Sequence, residues 1–75
     1  MIGYGQRLKN LRKELNLTME VVAQEAGIAK STYAGYESEF RQPSLNKLIF
    51  FANFFNVSSD YILCLSTKRE KWEIL

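Results

Sequence analysis

The stretch Leu17-Thr18-Met19-Glu20-Val21-Val22-Ala23-Gln24-Glu25-Ala26-Gly27-Ile28-Ala29-Lys30-Ser31-Thr32-Tyr33-Ala34-Gly35-Tyr36-Glu37 decides how the chain folds. Thr18 offers a hydroxyl to cap a helix, and Glu20 puts a carboxylate in its first turn, where the helix dipole favours it. Val22, Ala23 and Ala26 form the apolar side of that helix, and Gly27 supplies a sharp turn after it. A third helix over about 29–37 follows, with Tyr33 and Tyr36 or Glu37 inward. Ala23 is small where the two helices approach, and four residues later Gly27 redirects the chain. Ile28 and Tyr33 then pin the next helix to the core. Two helices of about eight or nine residues joined by a glycine turn form a unit whose second helix fits a DNA major groove.

Upstream, Tyr4, Leu8, Leu11 and Leu15 recur at spacings of four, three and four, the stripe of an amphipathic helix that ends at Asn16. Downstream, Ser38 to Pro43 reads as a loop, because Pro43 biases Gln42 away from helical geometry. Ser44 caps a fourth helix through about Asn56, with Leu45, Leu48, Ile49, Ala52 and Phe55 on one face. Ser58 caps a fifth, from Ser59 to about Leu65, with Asp60 in its first turn. No segment of useful length alternates with period two, apart from Trp72-Glu73-Ile74. The expected fold is all-α, a bundle of five short helices and a tail.

The 75 residues include no histidine and one cysteine, so no disulfide forms within the chain. A structural zinc site wants four Cys or His ligands, and the usual general base is missing. Most enzyme readings fall on these absences, and no cofactor or metal is expected. A chain this short buries only about two thirds of the surface its unfolded form exposes, which favours a core shared with a partner. Cys64, among Ile62, Leu63 and Leu65, is expected to be a small buried hydrophobe in a reducing cytoplasm. The longest apolar run, Leu48 to Ala52, is too short for a bilayer, and the N-terminus lacks the layout of a secretory signal. The net charge of +2 is an average over unlike segments. Residues 1–13 carry Arg7, Lys9, Arg12 and Lys13 without an acid, giving +4. Residues 14–39 hold five glutamates against Lys30, giving −4, and residues 40–75 restore +2. On charge alone these are ordinary solvated faces.

The chain resembles the lambda-repressor-like helix-turn-helix proteins of the Cro/cI or XRE type. The likeness lies in Arg7-Leu8-Lys9-Asn10-Leu11-Arg12-Lys13, Leu17-Thr18, Ala23, Gly27-Ile28, Tyr36-Glu37, Arg41-Gln42-Pro43-Ser44-Leu45 and Asn56-Val57-Ser58-Ser59-Asp60-Tyr61-Ile62-Leu63. It runs from Tyr4 to about Leu65, which makes 1–65 a DNA-binding domain and 66–75 a tail that docks or serves as a dimer arm. The resemblance implies Met19–Ala26 and Lys30–Glu37 as scaffold and recognition helices of a transcriptional regulator that binds double-stranded DNA as a homodimer. Carried over residue by residue, Lys30, Ser31, Thr32, Ala34 and Gly35 face base edges, with Lys30 the natural reader of guanine. Arg12 and Glu37 fall where the family has an ion pair between the first and third helices, and Arg12 could also turn toward a phosphate. Thr18, Arg41, Gln42 and Lys47 are expected on the phosphate backbone, with Arg41 matching the family's basic loop position.

Several residues depart from that pattern. Met19 stands where the family often has a phosphate-binding Gln, and Ala29 replaces the usual cap of the recognition helix. Gly35 lacks a side chain to read a base and costs about 1 kcal/mol relative to Ala. Glu39 replaces a common glycine and adds negative charge near the DNA. With the acidity of residues 14–39, these changes point to modest affinity, reliance on a dimer, or lost DNA binding. Phe50 and Phe54 fall outside the apolar face expected of the fourth helix; either the fifth helix or the tail covers them, or with Trp72 they form a surface for a second copy or another protein. A protein-interaction module built on that surface is the competing reading.

Overall fold

In the computed structural model, which describes residues 3–70, five helices follow in order: α1 Tyr4–Glu14, α2 Met19–Ala26, α3 Lys30–Glu37, α4 Leu45–Phe54 and α5 Ser59–Ile62. No strand occurs among the described residues. Helices this short are marginal alone and depend on packing their apolar faces. Their ends are set locally. The hydroxyls of Thr18, Ser44 and Ser58 accept from the backbone N–H groups of Val21, Lys47 and Tyr61, capping α2, α4 and α5. Asn16, Glu39, Asn56 and Cys64 take left-handed backbone conformations just after α1, α3, α4 and α5, and Gly27 does so after α2. Cys64 in that conformation ends α5 at Ile62, earlier than its apolar run suggests.

Tyr33 and Phe51 fill the centre of the core, with Leu8, Val22 and Ile62 fully buried around them. Edge-on ring contacts join Tyr33 to Tyr36 and to Phe51 at centroid distances of 6.4 and 5.7 Å. Three sequence expectations change here. On α4 the buried face is Leu48, Phe51, Ala52 and Phe55, whereas Leu45 and Ile49 are 77% and 55% exposed. The bulkier Phe51 takes the interior because it removes more apolar area from water at the same helical spacing. Leu15 lies beyond the last turn of α1 and is 52% exposed. Cys64 is exposed, because the left-handed turn carries it to the surface beside Gly3.

Two contacts seat α1 on α3. A Cβ on Gly5 would collide with the Glu37 carbonyl oxygen and lie 2.8 Å from that of Tyr36, so only glycine lets the helices approach this closely. Near the other end of α1, Arg12 Nε and Nη2 donate to Glu37 at 2.7 and 3.1 Å, and Nη1 donates to the Leu17 carbonyl at 2.9 Å. The two side chains are only 11% and 8% exposed. The expected ion pair is therefore present, and the Glu37 hydrogen bond raises the Arg12 pKa further, locking its charge. Tyr33 lies within electrostatic reach of this pair, its hydroxyl buried without a hydrogen-bond partner among the described residues. Burial first, then the Glu37 carboxylate, pushes the Tyr33 phenol well above its ordinary value.

The segment after α5 is strapped to the body as far as it is described. The Ser58 N–H donates to the Arg69 carbonyl at 2.8 Å, and Arg7 donates to the carbonyls of Tyr61 and Ser66. Arg69 grips Glu14 with two bonds of 2.8 and 2.6 Å, and both Arg7 and Arg69 lie against the Tyr61 ring. The bond from Arg69 holds the Glu14 carboxyl below its ordinary range. Trp72 lies outside the described residues.

Gly5→Ala should lower stability by about 1–3 kcal/mol, the usual cost of overpacking, despite the better helix propensity of alanine. Urea unfolding followed by circular dichroism checks this, and an unchanged midpoint would contradict the close approach. Glu37→Ala should cost about 3–5 kcal/mol by leaving Arg12 buried without its partner. In the same assay, Arg12→Ala with Glu37→Ala should cost less than the sum of the single changes.

Candidate nucleic-acid interface

The outward side of α3 follows from its inward one. Tyr33 and Tyr36 are buried, which turns Lys30, Ser31, Ala34 and Ser38 away from the core. Lys30 and Ser31 are exposed and Thr32 and Ala34 half-buried, so these four expected base-facing residues share the accessible part of the helix. Ala29 gives α3 no side-chain cap, in agreement with the sequence. Lys30 Nζ lies 3.6 Å from Glu20 Oε1, which brings the first turn of α2 beside the first turn of α3. Both side chains are more than half exposed, so this pair is weak and exchangeable.

Gly35 requires a correction. It lies one turn after Ser31 on the outward side, yet it is buried, because the Arg41 side chain covers it. Its own surface is closed to a base. Arg12 is likewise more strut than phosphate contact, with three of its five N–H donors already engaged inside the fold. Lys47 donates from Nζ to the Ala26 carbonyl at 2.6 Å, complementing the C-terminal end of α2. Thr18 caps α2 and is exposed, and Gln42 is exposed in the loop between α3 and α4.

Glu39 does not add its charge to the outward side of α3. It adopts φ of 63°, the conformation for which glycine is favoured, and its Oε2 accepts from the Gly5 N–H at 3.2 Å. The carboxylate thus serves the start of α1, where Gly3 provides no side-chain cap. Tyr4 donates its hydroxyl to the Arg41 carbonyl at 2.7 Å, with its pKa raised by burial and then by Glu39. Of the five glutamates in residues 14–39, Glu14 is paired with Arg69, Glu20 with Lys30 and Glu37 with Arg12, while Glu39 faces α1. The acidity that counted against DNA is largely compensated within the fold. The sequence marked these residues by charge alone, and their partners lie 10 to 55 positions away.

Phe50 and Phe54 are half-buried, stacked on each other at 5.6 Å, with their neighbours Phe51 and Phe55 edge-on beneath them. They close the edge of the core rather than standing free. The exposed apolar side chains of α4 are Leu45 and Ile49. Leu45 borders a shallow pocket of about 200 Å³ lined also by Tyr4, Gln42, Pro43, Leu48 and Leu63. No described helix is long and apolar enough to cross a membrane.

A family model for helix-turn-helix domains matches residues 8–62. The chain is 54% identical over 63 residues to the HTH-type transcriptional regulator YobD of Bacillus subtilis (strain 168), covering 84% of this chain and 56% of that protein. It is 49% identical over 57 residues to the HTH-type transcriptional regulator AnsR of the same organism, covering 76% of this chain and 49% of AnsR. The chain therefore spans about half the length of these relatives. Among solved structures it resembles the N-terminal DNA-binding domain of SinR from Bacillus subtilis, with a TM-score of 0.75 and 31% identity over 84% of this chain and 93% of that one. The arrangement of α2 and α3, the seating of α3 on α1 and these likenesses agree: the chain belongs to the helix-turn-helix family of the XRE, Cro/cI type.

Proposed function

We propose that the chain is a sequence-specific DNA-binding transcriptional regulator, repressor-like, that inserts α3 into the major groove of one half-site per copy. The observation that carries this reading is the outward side of α3, where Lys30 and Ser31 stand exposed with Thr32 and Ala34 at their flanks. Lys30 is placed to donate to guanine O6 and N7, Ser31 and Thr32 to bond either base pair, and Ala34 to meet a thymine methyl. Thr18 and the start of α2 hold a phosphate on one side, and Gln42 holds the backbone from the loop on the other. Lys9, Lys13 and Lys68, exposed and without an ion pair among the described residues, add sequence-independent attraction. The names of relatives support a regulatory role, among them the transcriptional repressor RstR of the Vibrio cholerae cryptic phage CTXphi, 33% identical over 54 residues.

The working form is a homodimer in the cytoplasm, with two copies matching a palindromic operator. Leu45, which lines the apolar pocket, and Ile49, both exposed on α4, support a contact between copies better than the half-buried Phe50 and Phe54 do. Sedimentation of the full chain at rising concentration tests this, and a strict monomer with and without operator would refute it.

Fluorescence anisotropy against a set of palindromic duplexes should show sequence preference and affinity that falls steeply as salt rises. Lys30→Ala should relax preference at one position of each half-site by about five- to tenfold. Glu20→Gln should tighten binding a few-fold by freeing Lys30 from its carboxylate, an effect limited by the exposure of that pair. Binding that ignores both sequence and salt would overturn the DNA reading.

A further inference from the structure

We infer that Arg41, reaching from the loop between α3 and α4, replaces a side chain of the recognition helix and reads a guanine edge; this rests on the DNA reading above. Gly35 lies one helical turn after Ser31, on the side of α3 opposite Tyr33 and Tyr36. A side chain at that position would project outward beside Ser31 and Ser38. Instead, the space a Cβ would enter is filled by Arg41, whose Cδ, Cγ and Cβ lie 3.0, 3.1 and 3.4 Å from it. Three successive carbons of the arginine stem thus lie on the glycine. The stem covers the helix backbone, and Arg41 as a whole remains exposed.

The backbone of Arg41 is held at both ends. Its N–H donates to the Gly35 carbonyl at 3.0 Å, and its carbonyl accepts from the buried Tyr4 hydroxyl at 2.7 Å. The left-handed turn at Glu39 brings the chain back over α3, and Glu39 is itself fixed to the Gly5 N–H. A group held in place before the ligand arrives loses less freedom on binding than a flexible loop arginine.

The guanidinium also differs from its counterparts. Arg12 and Arg69 are paired with Glu37 and Glu14, and Arg7 donates to two backbone carbonyls. Arg41 alone among the described arginines has no ion pair or side-chain hydrogen bond. Its planar fork of donors meets guanine O6 and N7 in a fixed two-point geometry, whereas a lysine reaches the same atoms only as a flexible point charge. Four residues of helix rise about 6 Å, and base pairs lie about 3.4 Å apart. The guanine read by Arg41 therefore falls one or two base pairs from the position sensed by Ser31. The missing side chain of Gly35 is then no loss to recognition, since the glycine makes room for a longer and charged reader.

The test uses the full chain. A preferred palindrome is selected from a random duplex library with the natural protein, and every single-base substitution of it is then measured by anisotropy. The natural protein, Arg41→Lys, Arg41→Ala, Gly35→Ala and Lys30→Ala are compared. Arg41→Lys keeps the charge but should lose about tenfold in discrimination at one guanine per half-site. Gly35→Ala, which pushes the stem aside, should lose discrimination at the same guanine while its melting temperature is unchanged or higher. Lys30→Ala should act at a different position. Uniformly weaker binding to all duplexes by Arg41→Ala, with every base preference intact in Arg41→Lys, would make Arg41 a backbone clamp and overturn the inference alone. A natural protein without base preference would overturn it together with the DNA reading.

Discussion

The guanidinium of Arg12 holds three parts of the fold at once. It pairs with Glu37 at the end of α3, bonds the Leu17 carbonyl ahead of α2, and itself belongs to α1. Taking two charges out of water costs several kcal/mol for each ion, and their mutual attraction offsets that only with good geometry and further hydrogen bonds. Both conditions hold here, with a short two-point contact and a backbone carbonyl as third partner. Such a pair adds little net stability, but it penalises any arrangement of α1, α2 and α3 that separates its members. The orientation of α3, and with it every residue turned outward, depends on that penalty and on the close passage of Gly5 across the end of α3.

The two glycines inside helices have a common physical reading. Glycine inside a helix is less favourable than alanine, by about 1 kcal/mol at an interior position such as Gly35, so its presence asks what approaches the bare backbone. At Gly5 it is the backbone of α3, and at Gly35 it is the stem of Arg41. One determines how α3 is seated, the other what lies on it. The sequence shows the glycines but not their visitors, which arrive from 32 and 6 residues away.

Helix number, order and most ends were legible because they rest on local signals. The Thr18, Ser44 and Ser58 caps, the Gly27 turn and the α2 face of Val22, Ala23 and Ala26 all follow from residues within one or two turns of each other. The α4 register was not legible in that way. Leu45-Leu48-Ile49-Ala52-Phe55 and Leu48-Phe51-Ala52-Phe55 are both acceptable helical stripes, and the choice falls to the packing of the Phe51 ring against Tyr33 in the core. Cys64 and Leu15 read as interior for the same reason, since apolar neighbours in sequence do not reveal that the helix has already ended. On the recognition side, Lys30 and Ser31 could be placed from the inward phase of Tyr33 and Tyr36 alone. The roles of Glu39 and Gly35 could not, because each depends on a contact with another element.

The charge pattern shows how far a sum over sequence can mislead about a surface. A stretch with net charge of −4 that includes α3 would repel phosphate if its acids stood free. Instead, Glu37 neutralises an arginine inside the fold, Glu14 binds Arg69, and Glu39 complements the N-terminal end of α1. Glu20 remains near the interface, and its partner is the lysine proposed to read a base. The basic first helix is diminished by the same contacts, since Arg7 and Arg12 are engaged within the molecule. The field a polyanion would meet is therefore set by fewer charges than the sequence counts, chiefly Lys9, Lys13, Lys30, Arg41 and Lys68. With so few free cations in one copy, the second copy of the proposed dimer would double the counterions released, which would tie affinity to operator symmetry more strongly than in a more basic domain.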